Sequence, residues 1–293
     1  MRRAASVKTP AGRIANPSCD RAEGDSSPAA GPKIFVLGGQ GFVGSAIVRA
    51  AREQGYAVAA ITRENRGQWC GRPCDLLIDA NGNSKKFLAE SEPAGDFQAS
   101  VASVLRNLLD FPCRRYVYLS SIDVYPRVDD RRCNRETAEI RPERLSRYGL
   151  HKFLAEQLVR NYAPHWLICR LGGMVGAGLW KNPVFDILSD QPLRVHADSR
   201  YQYLHTADAA RIILDLVARQ ADNDVFNLCG DGCISLAQVA ALAGKPELRY
   251  AAESPPVEHY DVNLDKLRSL VSVPRTEATI RKFVRDGLSP IST

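Results

Sequence analysis

Ile34-Phe35-Val36-Leu37-Gly38-Gly39-Gln40-Gly41-Phe42-Val43-Gly44 joins an unbroken apolar run to a G-x-x-G-x-x-G turn. Four apolar residues without polar alternation suit a parallel strand buried on both faces, and Gly38-Gly39 ends it. Apolar periodicity from about Gly41 to Gln54 then predicts an amphipathic helix. Glycine is needed between the two because the backbone must come close to a pyrophosphate and adopt angles that a side chain forbids. The helix beginning there aims unpaired N–H groups and the positive end of its dipole at the anion. Strand, glycine turn and helix together predict dinucleotide binding, with Gly38, Gly41, Phe42, Val43 and Gly44 as contact residues.

Working outward, Gly55 closes the helix and Ala57 to Ile61 reads as the second strand. Asp75 to Asp79 is a further strand, leading into the turn Asn81-Gly82-Asn83. A helix from about Asp96 to Asp110, a strand from Arg115 to Leu119, a helix from Arg147 to Asn161 and a strand from Trp166 to Arg170 follow. Strands alternating with helices at this spacing predict an α/β fold, a Rossmann-type doubly wound parallel sheet. After Leu171 the pattern loosens. Helical stretches over Ala207–Ala218, Leu236–Ala243 and Thr276–Asp286 suggest a smaller C-terminal α/β lobe for the substrate. The expected division is therefore a tail over 1–31, a dinucleotide-binding domain over 32–170 and a lobe over 171–293, interleaved with the sheet.

The tail is rich in Ala, Gly, Pro, Ser and charge without apolar periodicity, so it is expected to be disordered. It lacks the apolar centre of a secretory signal, and its acids argue against a transit peptide. A start codon placed too far upstream accounts for it equally well. The chain has 293 residues, 45% hydrophobic and 25% charged, and no apolar run of the roughly 18 residues a bilayer requires. The expectation is a soluble, cytoplasmic protein with no membrane partner. A net charge of +6 is spread along the chain. Its one cluster, Arg131, Arg132 and Arg135, lacks interleaved aromatics and any binding motif, which argues against nucleic acid. Eight scattered cysteines suit reduced thiols. Cys70/Cys74 and Cys229/Cys233 have x3 spacing but no histidine near in sequence, so no metal site is expected.

The choice of dinucleotide depends on the end of the second strand, where an acid normally binds the ribose hydroxyls of NAD. Counting from Gly55 the position is Thr62, which is neutral, and Arg63 follows it. A guanidinium suits a 2′-phosphate, with Arg66 as a further candidate, so NADP is favoured over NAD. Farther along, Tyr148-Gly149-Leu150-His151-Lys152 places a phenol and an ammonium four residues apart on one helix face. An ammonium near a phenol lowers its pKa toward a useful acid/base range. Upstream, the strand Tyr116-Val117-Tyr118-Leu119 ends in Ser120-Ser121, at a strand's carboxyl end, where ligands bind in such sheets.

Taken together, these features resemble an extended member of the short-chain dehydrogenase/reductase superfamily, in the NAD-dependent epimerase/dehydratase family. The resemblance runs from Lys33 to at least Asp208. Besides Gly38, Gly41 and Gly44 it rests on Ser120-Ser121-Ile122-Asp123-Val124-Tyr125, Glu136, Pro142, Tyr148, Lys152 and Glu156. Arg170 with Gly176 and Gly178, and Tyr203-Leu204-His205-Thr206-Ala207-Asp208, extend it. It implies Ser121 as the catalytic hydroxyl, Tyr148 as acid/base, and Lys152 as the residue that lowers the tyrosine pKa and binds the nicotinamide ribose. The implied function is an NAD(P)-dependent oxidoreductase or epimerase acting on a hydroxyl or keto group of a sugar-like substrate, with a nucleotide sugar among the candidates. The implied assembly is a homodimer paired through the Tyr/Lys helix and a neighbour. A non-catalytic NAD(P)-binding sensor or assembly protein of the same fold is the alternative, although such members tend to lose the Tyr/Lys pair.

Four departures from the family pattern limit what carries over. The unit between the second strand and Asp75 is short, so a strand–helix element is reduced or lost. Dehydratases of the family carry an acidic pair where Ile122 and Asp123 stand, so dehydration is disfavoured. An arginine for the substrate pyrophosphate is replaced by Tyr201, and the adjacent Arg200 is expected to point to the opposite face. A supporting helix asparagine is replaced by Ser100 or Val101.

Overall fold

A computed structural model describes residues 33–291; the expected disordered tail lies outside them. The first strand β1 (Lys33–Leu37) leads through the glycine turn to α1 (Phe42–Glu53) and back to β2 (Ala57–Ile61). One helical turn, α2 (Arg66–Trp69), is all that stands between β2 and β3 (Cys74–Asp79). Helices α3 (Lys86–Ser91), α4 (Pro93–Phe97) and α5 (Ser103–Asp110) precede β4 (Cys113–Ser121), and α6 (Arg147–Tyr162) leads to β5 (Trp166–Leu171). The chain continues through β6 (Gly173–Val175), α7 (Pro183–Leu188), β7 (Arg200–Tyr201), β8 (Tyr203–His205) and α8 (Thr206–Ala218) to β9 (Asp224–Leu228). It ends in β10 (Ile234–Ser235), α9 (Leu236–Leu242), α10 (Asp265–Arg268) and α11 (Thr276–Asp286).

Six strands form one sheet in the order β2-β1-β3-β4-β5-β9, every pair parallel. This is the expected Rossmann-type sheet, and the short unit after β2 has its counterpart in β2 being the outer strand. The crossing of chain order between β2-β1 and β3 creates the crevice at the carboxyl ends where such folds bind ligands. Alternate residues of one strand serve two cores. Ile34 and Val36 pack with Ile47, Val117 and Ile213, whereas Phe35 and Leu37 pack with Tyr116, Val159 and Ile168. Burial on both faces is why the strand reads as an unbroken apolar run.

The C-terminal half does not stand apart from the sheet, because β9 completes it beside β5. Around Tyr201, Tyr203, Val184, Ile234 and Phe283 it builds its own apolar cluster, with the small ladders β6/β8 and β7/β10. Between the cores lies a buried ion pair. Arg170 on β5, 2% exposed, donates to both carboxylate oxygens of Glu156 on α6 at 2.9 and 2.7 Å, and to the Tyr125 hydroxyl at 2.7 Å. Ser120 donates to the same carboxylate at 2.6 Å. Burial works against the Arg170 charge, and the Glu156 carboxylate overrides it, holding the guanidinium pKa above its ordinary value. This pair ties α6 to the strand ends that carry the site. Among the described residues no helix is long and apolar enough to cross a membrane.

Candidate active site

The glycine turn closes tightly after β1. Gly41 N–H donates to Gly38 carbonyl at 2.8 Å, and a Cβ at Gly44 would lie 2.2 Å from that same carbonyl oxygen, so no side chain fits there. Helix α1 then begins at Gly41 with no side-chain cap, which leaves its first N–H groups free to meet an anion. Beyond β2, the Thr62 N–H donates to Asn65 Oδ1 at 2.8 Å, and Asn65 donates back to the Ala60 carbonyl at 3.0 Å. The Thr62 hydroxyl bonds the Glu64 carboxylate and lowers its pKa. Arg63 is exposed, with no ion pair among the described residues. Arg66 corrects the expectation that it could assist a 2′-phosphate. Its guanidinium is committed to Asn107 Oδ1 at 2.7 Å and Asp110 Oδ2 at 2.8 Å, over the Phe111 ring.

Strand β4 delivers Ser121 to the crevice, and the 3₁₀ turn Ile122–Val124 follows at once. Helix α6 starts at Ser146, whose side chain accepts from Gly149 N–H at 3.1 Å, and it buries Tyr148, His151 and Lys152. A Cβ at Gly149 would lie 2.2 Å from the Asp123 carbonyl oxygen; glycine there lets the helix close onto the Ser121–Asp123 turn. The Ser121 hydroxyl donates to Asp123 Oδ2 at 2.7 Å. Asp123 Oδ1 in turn accepts from Lys86 Nζ at 2.7 Å and from the Tyr260 hydroxyl at 3.3 Å. Ser121, Asp123 and Lys86 all act on the Tyr148 phenol.

The direction of that action differs from the sequence expectation. Burial pushes the Tyr148 pKa well above its ordinary value and the Asp123 carboxylate pushes it further, while Lys86 and Ser121 pull it back. Spacing along a helix cannot reveal how deeply the phenol is buried, and burial is the larger effect here. Lys152 is itself buried, and burial lowers its pKa, opposed by Asp79, Asp96, Glu156 and Asp123. Its ammonium lies 3.5 Å from the Leu119 carbonyl and 5.4 Å from the Tyr118 ring centre, with the Gly82 backbone alongside.

Two buried carboxylates near Lys152 escaped the sequence reading. Asp79, at the end of β3, accepts from Tyr116 Oη at 2.5 Å and from Asn107 Nδ2 at 2.7 Å, and burial raises its pKa. Asp96 bonds His151 Nδ1 at 2.6 Å, Asn83 Nδ2 at 2.7 Å and Ser100 Oγ at 3.2 Å. Ser100, where the family's asparagine was sought, sits in a π-helical turn, Gln98–Ala102, that joins α4 to α5. The one available signal for this network was His151, lying between the two expected catalytic residues.

In the lobe, Tyr201 is buried, stacked on Tyr260 at 5.3 Å and donating to Glu258 Oε2 at 2.8 Å, whereas Arg200 is exposed. The two residues do face opposite ways. Cys233 has His259 and Asp261 within 4.8 Å, neighbours that its sequence spacing did not disclose. Arg131 Nε donates to Asp261 at 2.7 Å, so a guanidinium already holds that carboxylate.

Residues 34–229 match the family described as NAD dependent epimerase/dehydratase. No curated protein matches the chain. Among solved structures, a UDP-galactose 4-epimerase is similar at 22% identity and a TM-score of 0.72, covering 87% of this chain and 98% of that one. A dTDP-4-dehydrorhamnose reductase from Bacillus anthracis, in complex with NADP, is similar at 16% identity and a TM-score of 0.72, covering 89% and 100%. An NDP-hexosamine 5,6-dehydratase of tunicamycin biosynthesis is similar at 18% identity and a TM-score of 0.71, covering 87% and 97%. These likenesses concern the fold.

Proposed function

Because the chain belongs to the NAD dependent epimerase/dehydratase family, we propose that it is an NAD(P)-dependent oxidoreductase or epimerase acting on a hydroxyl or keto group of a sugar-like substrate. The observation that carries this reading is the buried Tyr148 phenol on which Ser121, Asp123 and Lys86 act, with Lys152 buried one turn further along α6 beside the Leu119 carbonyl. The Ser121 and Lys86 that act on this phenol support an enzyme over a non-catalytic protein of the same fold. The solved neighbours are named for nucleotide-linked sugars, and the same substrate class is proposed here.

The residues fit a dinucleotide, since the Gly38–Gly44 turn and the uncapped start of α1 leave room and donors for a pyrophosphate. When bound, the nicotinamide supplies or accepts the hydride. The protein's own part is the proton. Tyr148 Oη gives it to, or takes it from, the reacting oxygen, and its burial keeps bulk water from competing. Lys152 holds the ribose and adds a positive charge that favours the phenolate. Ser121 donates its hydrogen to Asp123 Oδ2 and accepts the Asp123 N–H at 3.2 Å, so it donates to a substrate carbonyl only by leaving that carboxylate. Apolar Ile122 beside Asp123 disfavours dehydration. A homodimer is proposed through α6 and the neighbouring α4, where Tyr162 and Phe97 are 51% and 40% exposed.

NADP is the proposed cofactor. Thr62 removes the carboxylate that would repel a 2′-phosphate, and Arg63 is free to add a charge-assisted contact of about 1.5 to 3 kcal/mol. Glu64 engages Thr62 first and feels the Arg63 charge only as a smaller effect, with no Arg63 ion pair among the described residues. The expected preference for NADP is roughly 10- to 100-fold. Arg63→Ala should remove most of it, and Thr62→Asp should reverse it. Calorimetric titration with both oxidised cofactors decides, and equal affinities or tighter NAD would overturn the assignment.

A further inference from the structure

Three lysines converge at the mouth of the cleft without enough acid to balance them. Lys85 and Lys181 place their ammoniums 5.0 and 5.3 Å from the ring centre of one exposed tryptophan, Trp180. Lys181 also donates to the Ser84 carbonyl and, at 2.8 Å, to the Ser84 hydroxyl. Lys86 follows Lys85 directly, lies 4.9 Å over the Tyr260 ring and donates to Asp123 at 2.7 Å. Among the described residues Asp123 is the only carboxylate paired with any of the three, so the cluster carries a surplus of about two positive charges. Burial, then Lys85 and Lys86, lower the Lys181 pKa to about 8, a like-charge strain that a bound anion would relieve.

From this arrangement we infer that Lys85, Lys86 and Lys181, set around Trp180, bind a phosphoryl group of the substrate. The inference rests on the proposed reading that a sugar-like substrate reacts at Tyr148, and it names where that substrate carries its charge. Lys86 touches Asp123, and Asp123 touches Ser121, so the anion is held one side chain from the reacting centre. On the lobe side, the position where an arginine was sought is filled by Tyr201, which is locked to Glu258. Anion recognition has therefore passed to the start of α3 and the loop before α7. A doubly charged phosphoryl group matches the surplus, whereas a single carboxylate would leave one ammonium uncompensated.

The test uses inorganic pyrophosphate, orthophosphate and UDP, titrated into the full chain saturated with NADP so that the glycine turn is already filled. Of the three tryptophans, Trp69 packs on Phe35 and Trp166 is buried, so Trp180 should report through its fluorescence. Saturable quenching is expected with pyrophosphate, weakening as salt rises. Lys85→Gln and Lys181→Gln should each loosen binding roughly 10-fold. Orthophosphate binding as well as pyrophosphate would assign a monoester; UDP binding tightest would assign a nucleotide diphosphate. Both outcomes support the inference. Absence of saturable binding, or an affinity unchanged in the double Gln variant, would overturn it. NADP affinity is measured in the same samples. Its failure sinks the cofactor reading, while the parent-to-variant ratio for pyrophosphate still judges the lysines.

Discussion

Tyr148→Phe is expected to lower turnover by roughly 10²- to 10⁴-fold while leaving NADP affinity nearly unchanged. The ring is 7% exposed and stays in place, so packing and the closure of α6 onto the Ser121–Asp123 turn survive. What goes is the single hydroxyl that Ser121, Asp123 and Lys86 act on together. Of the other phenols, Tyr260 already shares its hydrogen with Asp123, and Tyr118, on which the Tyr148 charge acts, is fully buried. Stopped-flow measurement of nicotinamide absorbance with nucleotide-sugar candidates reads the effect. Turnover within a few-fold of the parent would remove Tyr148 from the chemistry.

Glu156→Gln should destabilise the fold by about 3 to 5 kcal/mol, because it strips the counter-charge from a guanidinium that is itself buried. Glutamine keeps one acceptor for Arg170 but turns an amide donor toward the guanidinium, which has only donors, or toward Ser120, whose hydroxyl must then turn to accept. At about 2 °C per kcal/mol for a domain of this size, the melting temperature should fall by roughly 6 to 10 °C. Replacing both partners, Glu156→Leu with Arg170→Met, should cost much less, since no charge is then left alone. Urea unfolding of the single and double variants compares them directly. A single variant within 1 kcal/mol of the parent would show that the pair is not the tie between α6 and β5 described here.

The parts legible in the sequence were those governed by local order. The apolar run at Ile34–Leu37, the glycine turn and the helix at Arg147 all lie within a few residues of what they determine, and the structure places them within a residue or two of expectation. Thr276–Asp286 agrees at both ends. The helix expected over Asp96–Asp110 was only partly legible. It begins earlier, as separate turns at Lys86 and Pro93, and widens into a π-turn, where Asp96, Ser100 and His151 satisfy one another across 55 residues. No periodicity encodes such a contact. The same limit hid Lys86 and Tyr260, which are 174 residues apart yet bond each other at 3.0 Å and share the Asp123 carboxylate. Strands of two and three residues, such as β7 and β8, are too short to show alternation at all. Burial is likewise a property of the whole fold, which is why the pKa of Tyr148 moves upward although its neighbour four residues on is a lysine.

The outer position of β2 bears on how the protein behaves when crowded or heated. Ala57-Val58-Ala59-Ala60-Ile61 is uncharged and small, and its far side has no strand partner among the described residues. Such a row of unpaired backbone groups is a template on which a foreign strand can add. Its shortness limits the gain. The charges at both ends, Arg52 and Glu53 before it, Arg63 and Glu64 after it, act as gatekeepers against intermolecular pairing. Arg63 thus has a second duty besides any contact with a cofactor, and Arg63→Ala should scatter more light than the parent during a thermal ramp. Equal scattering would show that the strand's length alone keeps the molecules apart.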